Sequence, residues 1–355
     1  MFGIGGDRLQ AQGAGLVAHV RDMAVIGLFE VLRHLRRLRG VFNRLLAEVD
    51  RQPPHLAVLV DYAGFNLRLA RELRRRGVPI VYYVSPQVWA WRRGRIRTIR
   101  DTVTRMLVLF PFEEPLYREA GVSVTFVGHP LVDLARSTVD RPAFLKEVGL
   151  SDAAPVVALL PGSREQEIEH NLAPLAGAVA LLARSHPSLQ FLLAAAPSLD
   201  PARLASRLTG FPVQVVSNRT YDVLASSDLA LVASGTATVE TALLDTPMVV
   251  VYRLSAVSYA VGRPFVQVPH FAMVNLVAGR RIVPELIQGD FTPQNVAREA
   301  LALLQNVEKA DTMRREFREV RRLLGAPGAS GRAAWAVFET LKSSTMDGTR
   351  ASGAS

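Results

Sequence analysis

Two turns carry the clearest chemical potential in this chain. Leu160-Pro161-Gly162-Ser163-Arg164 is followed by Glu165 and Glu167, and Ala233-Ser234-Gly235-Thr236-Ala237-Thr238-Val239-Glu240 repeats the same logic. In each, an apolar run ends in a glycine turn and a helical pattern begins. Such a turn aims backbone N–H groups at one point, where the helix start favours negative charge. Ser163 adds a hydroxyl, and Arg164 a guanidinium that can grip a phosphate with paired hydrogen bonds. Ser234, Gly235 and Thr236 are small enough to let a diphosphate approach closely. Glu240, one turn into its helix, has the lone pairs to accept both hydroxyls of a ribose. The same residues also fit ordinary strand-to-helix turns, with Ser163 as a cap and Glu240 complementing the helix dipole. Neither segment is a Walker loop or a GxGxxG pattern. Two such turns in one half of a chain weigh more than either alone.

Further candidates sit in the first half. Asp61 closes the apolar run Leu56–Val60, where an ionised group must be exposed or paired. That position suits a general base taking a proton from an attacking hydroxyl, although an Asx turn is the commoner use of such a residue. Tyr83, Ser85, Gln87 and Trp89 follow a second run. Trp89 and Trp91 could stack on a sugar or meet acyl chains, or fill a core. His129, between Gly128 and Pro130, could donate to phosphate or pin its loop. The chain has no cysteine, and its seven histidines make no HxxxH or HExxH spacing. Disulfides, thiolate chemistry and a metal site therefore have no support, and no cofactor is expected.

Short apolar runs alternating with helical patterns must position these residues, the signature of parallel α/β units. The spacing predicts strands at Leu56–Val60, Val78–Val84, Arg105–Phe110 and Val124–Val127. After a looser junction at 132–155 come Val156–Leu160, Leu189–Ala194, Val213–Val216, Leu229–Ala233 and Met248–Tyr252. Polar residues recur at strand C-termini, the edge where open α/β sheets bind ligands. Two Rossmann-like domains facing a cleft are the simplest architecture. The first spans 1–140 and the second 141–325, with a terminal helix and a tail at 326–355. Composition predicts that the last dozen residues are disordered.

The charge is uneven. Residues 1–110 hold 19 Arg against 8 acids, a balance of +11 in a chain of +10. Leu28, Leu32, Leu35, Leu38, Phe42 and Leu45 recur at helical spacing, with Arg33, Arg36, Arg37 and Arg39 between them. This reads as a core-facing helix with a strongly basic outer face, open to an interfacial role. No run is long enough to span a bilayer, the start is no signal peptide, and no nucleic-acid motif is present.

The ordered blocks are specific. They run from Phe2–Gly6 through Asp22–Gly27, Asp61 with Phe65-Asn66, Tyr83–Arg92, Pro111-Phe112-Glu113, Phe126–Pro130 and Leu160–Arg164. Ala233–Thr236 with Glu240, Pro247–Val250 and Asn275–Arg280 complete the set. Together they resemble bacterial lipid-A-disaccharide synthases, inverting glycosyltransferases of the two-Rossmann-domain (GT-B) type. The resemblance implies transfer of 2,3-diacylglucosamine from its UDP derivative to 2,3-diacylglucosamine 1-phosphate, giving a β-1,6-linked disaccharide 1-phosphate and UDP. It also implies a metal-free, peripheral enzyme on the cytoplasmic face of the inner membrane of a Gram-negative bacterium, and it leaves room for a homo-oligomer. On this resemblance Asp61 and Arg164 are catalytic. Ser163, Ser234, Gly235, Thr236, Glu240 and Asn275 bind the donor, while Ser85, Trp89 and His129 belong to the acceptor side or cleft.

Two departures accompany it. Gly64 stands where many members carry a second Asp. The segment that normally follows a first strand and small-residue loop begins here at Phe2, so a strand-and-helix unit is expected upstream. The rival readings are another GT-B transferase with a lipid-linked acceptor, such as the one that glycosylates the undecaprenyl-linked peptidoglycan precursor, and a nucleotide-sugar or lipid-binding homologue without activity.

Overall fold

The computed structural model describes residues 1–23, 31–88, 94–254 and 269–351. The second half is one six-stranded parallel sheet. Its strands are β7 (Val156–Leu160), β8 (Gln190–Ala195), β9 (Val213–Ser217), β10 (Leu229–Ala233), β11 (Met248–Tyr252) and β12 (Glu285–Ile287), numbered after six earlier strands described below. Their order is β12-β11-β10-β7-β8-β9. Every residue of β7 and β10 is buried. This is why both read as unbroken apolar runs: helices cover both faces of a central parallel strand. From the central pair, β7→β8→β9 winds one way and β10→β11→β12 the other. The crevice beyond their C-terminal ends is thus the topological switch point, where open α/β sheets receive ligands. Both glycine turns open there.

The first half holds β1 (Phe2–Gly5) paired with β2 (Gly15–His19), and a separate parallel sheet ordered β3-β4-β5-β6. The latter comprises β3 (Ala57–Val60), β4 (Ile80–Tyr83), β5 (Arg105–Val108) and β6 (Val124–Phe126). Register places Leu59 beside Tyr82, and Val58 and Val60 beside Val81 and Tyr83. On the first face Leu59, Ile80, Tyr82, Met106 and Val108 join one core with the helices Val31–Arg51 and Ala63–Arg75. Phe2, Ile4 and Val17 of the β1–β2 pair pack on that same core. On the other face Val81, Leu107 and Val127 meet Ala333, Ala336 and Val337 of the terminal helix Ala329–Ala351. That helix reaches β4 and β5 but leaves Val58 and Val60 of β3 half exposed, at 46% and 52%.

The helix Val31–Arg51 sends Val41, Leu45 and Val49 into the core, with Phe42 half buried beside them, while Arg36, Arg37, Arg39 and Arg44 face outward. From residue 36 onward its apolar stripe is core and its basic face is surface. Residues 28–30 of the expected run and the side chains of residues 31–35, which include Leu32, Arg33 and Leu35, lie outside the described residues.

The C-terminal helix packs on the first sheet. The Arg332 guanidinium donates to the carbonyls of Val127 (2.8 Å), Ala326 (2.6 Å) and Pro327 (2.7 Å), and Arg105 pairs with Glu339 at 3.0 Å. The helix also continues to Ala351, through most of the stretch expected to be disordered. Part of the reason is local. Hydroxyls at Thr340, Ser343 and Ser344 each donate to the carbonyl four residues back, a bond that lets these residues sit inside a helix.

Candidate functional site

At the switch point lies a cavity of about 810 Å³, lined by Ser163 and Arg164 after β7 and by Ser234, Gly235, Thr236 and Glu240 after β10. Gln87 from the first half and Arg136 and Thr138 from the junction close it from the other side. The two turns meet here because each follows a strand of the central pair.

The second turn is open to a ligand. Gly235 has φ +144°, a conformation essentially reserved for glycine. Thr236 is exposed beside it. The Ser234 hydroxyl is already spent on the Phe271 carbonyl at 2.7 Å, so what Ser234 offers a ligand is small size. Glu240 is half buried, and its Oε1 accepts from the Tyr221 hydroxyl at 2.9 Å. Burial raises the Glu240 carboxyl above its ordinary value, and the Tyr221 bond offsets this only in part. The Tyr221 phenol is itself held up by burial and by the adjacent carboxylate, so it remains a donor. A carboxylate fixed from behind by one donor keeps its second oxygen for ribose hydroxyls.

The first turn is built differently from its reading. Glu167 reaches back so that its Oε2 accepts from the Ser163 amide at 2.8 Å, while Oε1 accepts from the Arg164 guanidinium at 2.9 Å. Glu167, which also accepts from the Arg164 amide at 3.3 Å, thus places a carboxylate where the bare motif suggested a phosphate. Gly162 is required beneath it, since a β-carbon there would stand 2.5 Å from Glu167 Oε2. The buried Asn171 amide donates to the Pro161 carbonyl at 2.8 Å and holds the turn from below. Arg164 nonetheless projects into solvent, its side chain 80% exposed.

Several lining residues gave no signal in sequence. Tyr221 lies in the short helix Thr220–Ala225, with Arg219 at its N-cap. Arg219 is consumed by Asp222 and by Glu147, the latter at 2.9 Å. Asp222 also accepts from the Ser137 hydroxyl (2.7 Å) and the Thr138 amide (2.8 Å), tying the junction to the second sheet. Burial pulls the Asp222 carboxyl up, but the bonds from Arg219, Thr138 and Ser137 outweigh it and hold the group at about 2. Of the three arginines lining the cavity, Arg164 and Arg219 face carboxylates. Arg136 is exposed and has no ion pair among the described residues.

The structure brings fewer of the other expected residues to this cavity. Asn275 is fully buried beneath it. Its oxygen accepts from the Ile282 (2.8 Å) and Val283 (3.0 Å) amides, and its amide donates to the Val283 carbonyl and to Glu285. Its bonding is thus used inside the fold, and Met273, two residues earlier, lines the cavity instead. His129 is buried against the Phe110 ring at 5.0 Å. Its Nδ1 accepts from the Leu131 amide at 3.2 Å, its own amide donates to the Leu324 carbonyl, and burial lowers it to about 4. A neutral imidazole pinning the crossing of the chain follows. Ser85 is buried and bonds the Pro86 carbonyl and the Tyr117 hydroxyl, each at 2.8 Å. Asp61 sits at the C-terminal edge of the first sheet, its side chain exposed. Gly64, in the helix after it, has no positive φ, and a β-carbon there would meet open space, so nothing local demands glycine. Trp89 lies outside the described residues.

Two parallel α/β sheets, with a cavity at the switch point of the second, define the GT-B class of sugar-nucleotide enzymes. Solved structures share this architecture. Among them are the UDP-GlcNAc 2-epimerase of Neisseria meningitidis bound to UDP-GlcNAc, with TM-score 0.64 over 96% of this chain and 99% of that one at 12% identity, and the calicheamicin glycosyltransferase CalG4, with TM-score 0.58 over 96% and 90% at 16% identity. At such identities the likeness concerns the fold. Sequence carries the rest. The family model for lipid-A-disaccharide synthetase matches residues 1–333. The lipid-A-disaccharide synthase of Syntrophus aciditrophicus is 45% identical over 97% of this chain and 90% of its own length. That of Myxococcus xanthus is 44% identical over 96% and 89%. The chain belongs to the lipid-A-disaccharide synthase family and is a glycosyltransferase.

Proposed function

We propose that the cavity at the β7–β10 switch point binds UDP-2,3-diacylglucosamine and that Asp61 activates the 6-hydroxyl of 2,3-diacylglucosamine 1-phosphate. The observation that carries the donor assignment is Glu240, braced by Tyr221 beside a glycine turn on the central strand pair. In the reaction the acceptor O–H bond breaks and its proton passes to the Asp61 carboxylate. The freed oxygen bonds to the donor sugar's C1 as the C1–phosphate oxygen bond breaks, and UDP leaves with that electron pair. Thr236, Gly235 and Arg136, which line the cavity, meet the diphosphate in this reading. Arg164, beside them, supports charge on the same site. No group of three or more potential metal-binding side chains occurs among the described residues, and the assignment draws on none.

In this reading residues 1–140 form the acceptor domain and 141–325 the donor domain, with the terminal helix braced on the former. Both substrates carry acyl chains, so the enzyme meets its acceptor at an anionic membrane surface on the cytoplasmic side. No helix among the described residues is long and apolar enough to cross a membrane. The exposed arginines of Val31–Arg51 support attachment through the first half.

The test is product analysis. The chain, supplied with both diacylglucosamine substrates, should yield UDP and a lipid disaccharide 1-phosphate in equal amounts. UDP-N-acetylglucosamine with an undecaprenyl-linked acceptor should yield nothing. Product from the second pair alone would overturn the assignment, and tight UDP binding without product from either would favour an inactive homologue.

A further inference from the structure

The end of β3 is strained in a specific way. Asp61 and Tyr62 stand in succession at φ +46° and +42°, and Val84, at the end of the adjacent β4, is at +67°. Left-handed backbone costs a non-glycine residue on the order of 1–3 kcal/mol, and it persists only where the surroundings enforce it. For β-branched Val84 it is a genuine outlier. The enforcement at Asp61 is visible. The phenol of Tyr82 donates to the Asp61 carbonyl at 2.6 Å, and the Asn66 side-chain amide donates to the same oxygen at 2.8 Å and to the Val60 carbonyl at 3.0 Å. The Asp61 amide is bound in turn to the Tyr83 carbonyl at 3.0 Å. Both donors are anchored. Tyr82 is fully buried in the first-half core, and Asn66, 9% exposed, sits in the first turns of the helix Ala63–Arg75. Burial, together with the Asp61 charge, keeps the Tyr82 phenol protonated.

The peptide groups on either side of the Asp61 α-carbon are therefore fixed, while its carboxylate is exposed with no hydrogen bond or ion pair among the described residues. A strand end that only needed to turn could have used glycine. Instead a rigid, strained backbone presents an unengaged carboxylate. We propose that Tyr82 and Asn66 are positioning residues that hold Asp61 in its left-handed conformation and thereby aim its carboxylate at the acceptor hydroxyl. The proposal rests on the reading of Asp61 as the proton acceptor. A displacement of about 1 Å at a reacting group can cost on the order of 100-fold in rate, so loss of a clamp should appear in turnover.

A buried phenol that merely needed an acceptor would affect stability alone, and a double-mutant cycle on the full chain separates the two roles. With both diacylglucosamine substrates, Tyr82→Phe should lower kcat roughly 10- to 100-fold while donor KM and UDP affinity stay within about twofold of the parent. Asn66→Ser, which leaves the tyrosine in place, should act in the same direction. Asp61→Asn should lower kcat by about 10²- to 10⁴-fold, the usual range for a general base. Tyr82→Phe should then slow Asp61→Asn no further, because a clamp acts only through the group it aims. Near-parental kcat in folded Tyr82→Phe and Asn66→Ser, or losses that multiply in the double variant, would overturn the clamp while leaving the base intact. Near-parental turnover by Asp61→Asn alone would instead remove the base assignment, and the clamp with it.

Discussion

Glu240 illustrates how one side chain gains a role from its surroundings. A first-turn glutamate is common, but this one is half buried with one oxygen on Tyr221. Glu240→Ala should weaken UDP binding about tenfold or more, since a hydrogen bond to a charged group is worth about 1.5–3 kcal/mol. Calorimetry showing parental UDP affinity in the folded variant would refute the assignment. The raised carboxyl adds a pH signature. Its folded-state pKa lies above the unfolded value, so protonation favours the fold on acidification even as it removes the ribose acceptor. UDP affinity should therefore decline at a higher pH than for an ordinary glutamate, and Glu240→Gln should flatten that decline. In the proposed donor site Arg136 meets a different part of the ligand. Arg136→Gln should lower UDP affinity roughly tenfold, in keeping with a charge-assisted bond, and leave uridine binding unchanged. Equal losses for both ligands would place Arg136 away from the diphosphate. Glu240 was legible because it sits at a fixed offset in a patterned turn. Arg136 was not, because a single residue in an irregular loop carries no period, and Tyr221 was not, because its helix Thr220–Ala225 is too short to show one. Asn275 shows the opposite case: it lies within a family block, yet a polar side chain on a buried helix face must find its partners inside, and here it does.

At the level of elements, strands buried on both faces announced themselves, while β1, β2 and β12 did not. All five expected second-half strands are present within a residue or so, because β7, β8, β10 and β11 are nearly unbroken apolar runs. The three residues of β12 and the half-exposed pair β1–β2 offer too little pattern to separate from loop. The packing of the terminal helix was harder still to read, since its partner surface is distant in sequence. Ala333 and Ala336 are unremarkable until Val81 and Leu107 lie beneath them. Arg332 is the key to that contact, satisfying three carbonyls at once. Arg332→Ala should destabilise the chain by on the order of 2–3 kcal/mol, the scale of charge-assisted bonds lost at a partly buried site. It should also loosen the helix first, seen as faster amide exchange in 329–340. A urea midpoint unchanged from the parent would show that the apolar contacts alone hold the helix.

For the whole molecule, the charge asymmetry read from the sequence acquires a location. Val41, Leu45 and Val49 commit the described apolar side of Val31–Arg51 to the core, so that part of the helix has no apolar face for a bilayer. What it can offer is charge. Arg36, Arg37 and Arg39 are exposed, and of these only Arg37 has an ion pair among the described residues, with Asp22. Each basic residue near an anionic lipid surface contributes about 1 kcal/mol, and the attraction decays within a Debye length. A surface of this kind predicts reversible, salt-sensitive attachment. Vesicles containing anionic lipid should bind the chain at low ionic strength and lose most of it at high salt, while neutral vesicles should bind weakly. Replacing Arg33, Arg36, Arg37 and Arg39 with Gln should reduce binding to anionic vesicles by tenfold or more, on that scale of about 1 kcal/mol per charge, without moving the thermal midpoint by more than a few degrees, because none of the three exposed guanidiniums supports the core. Undiminished binding by the folded variant would move the attachment surface elsewhere in the molecule. Binding that ignores both salt and lipid charge would point to inserted apolar groups instead, for which the half-exposed Val58 and Val60 on the uncovered face of β3 are the nearest candidates.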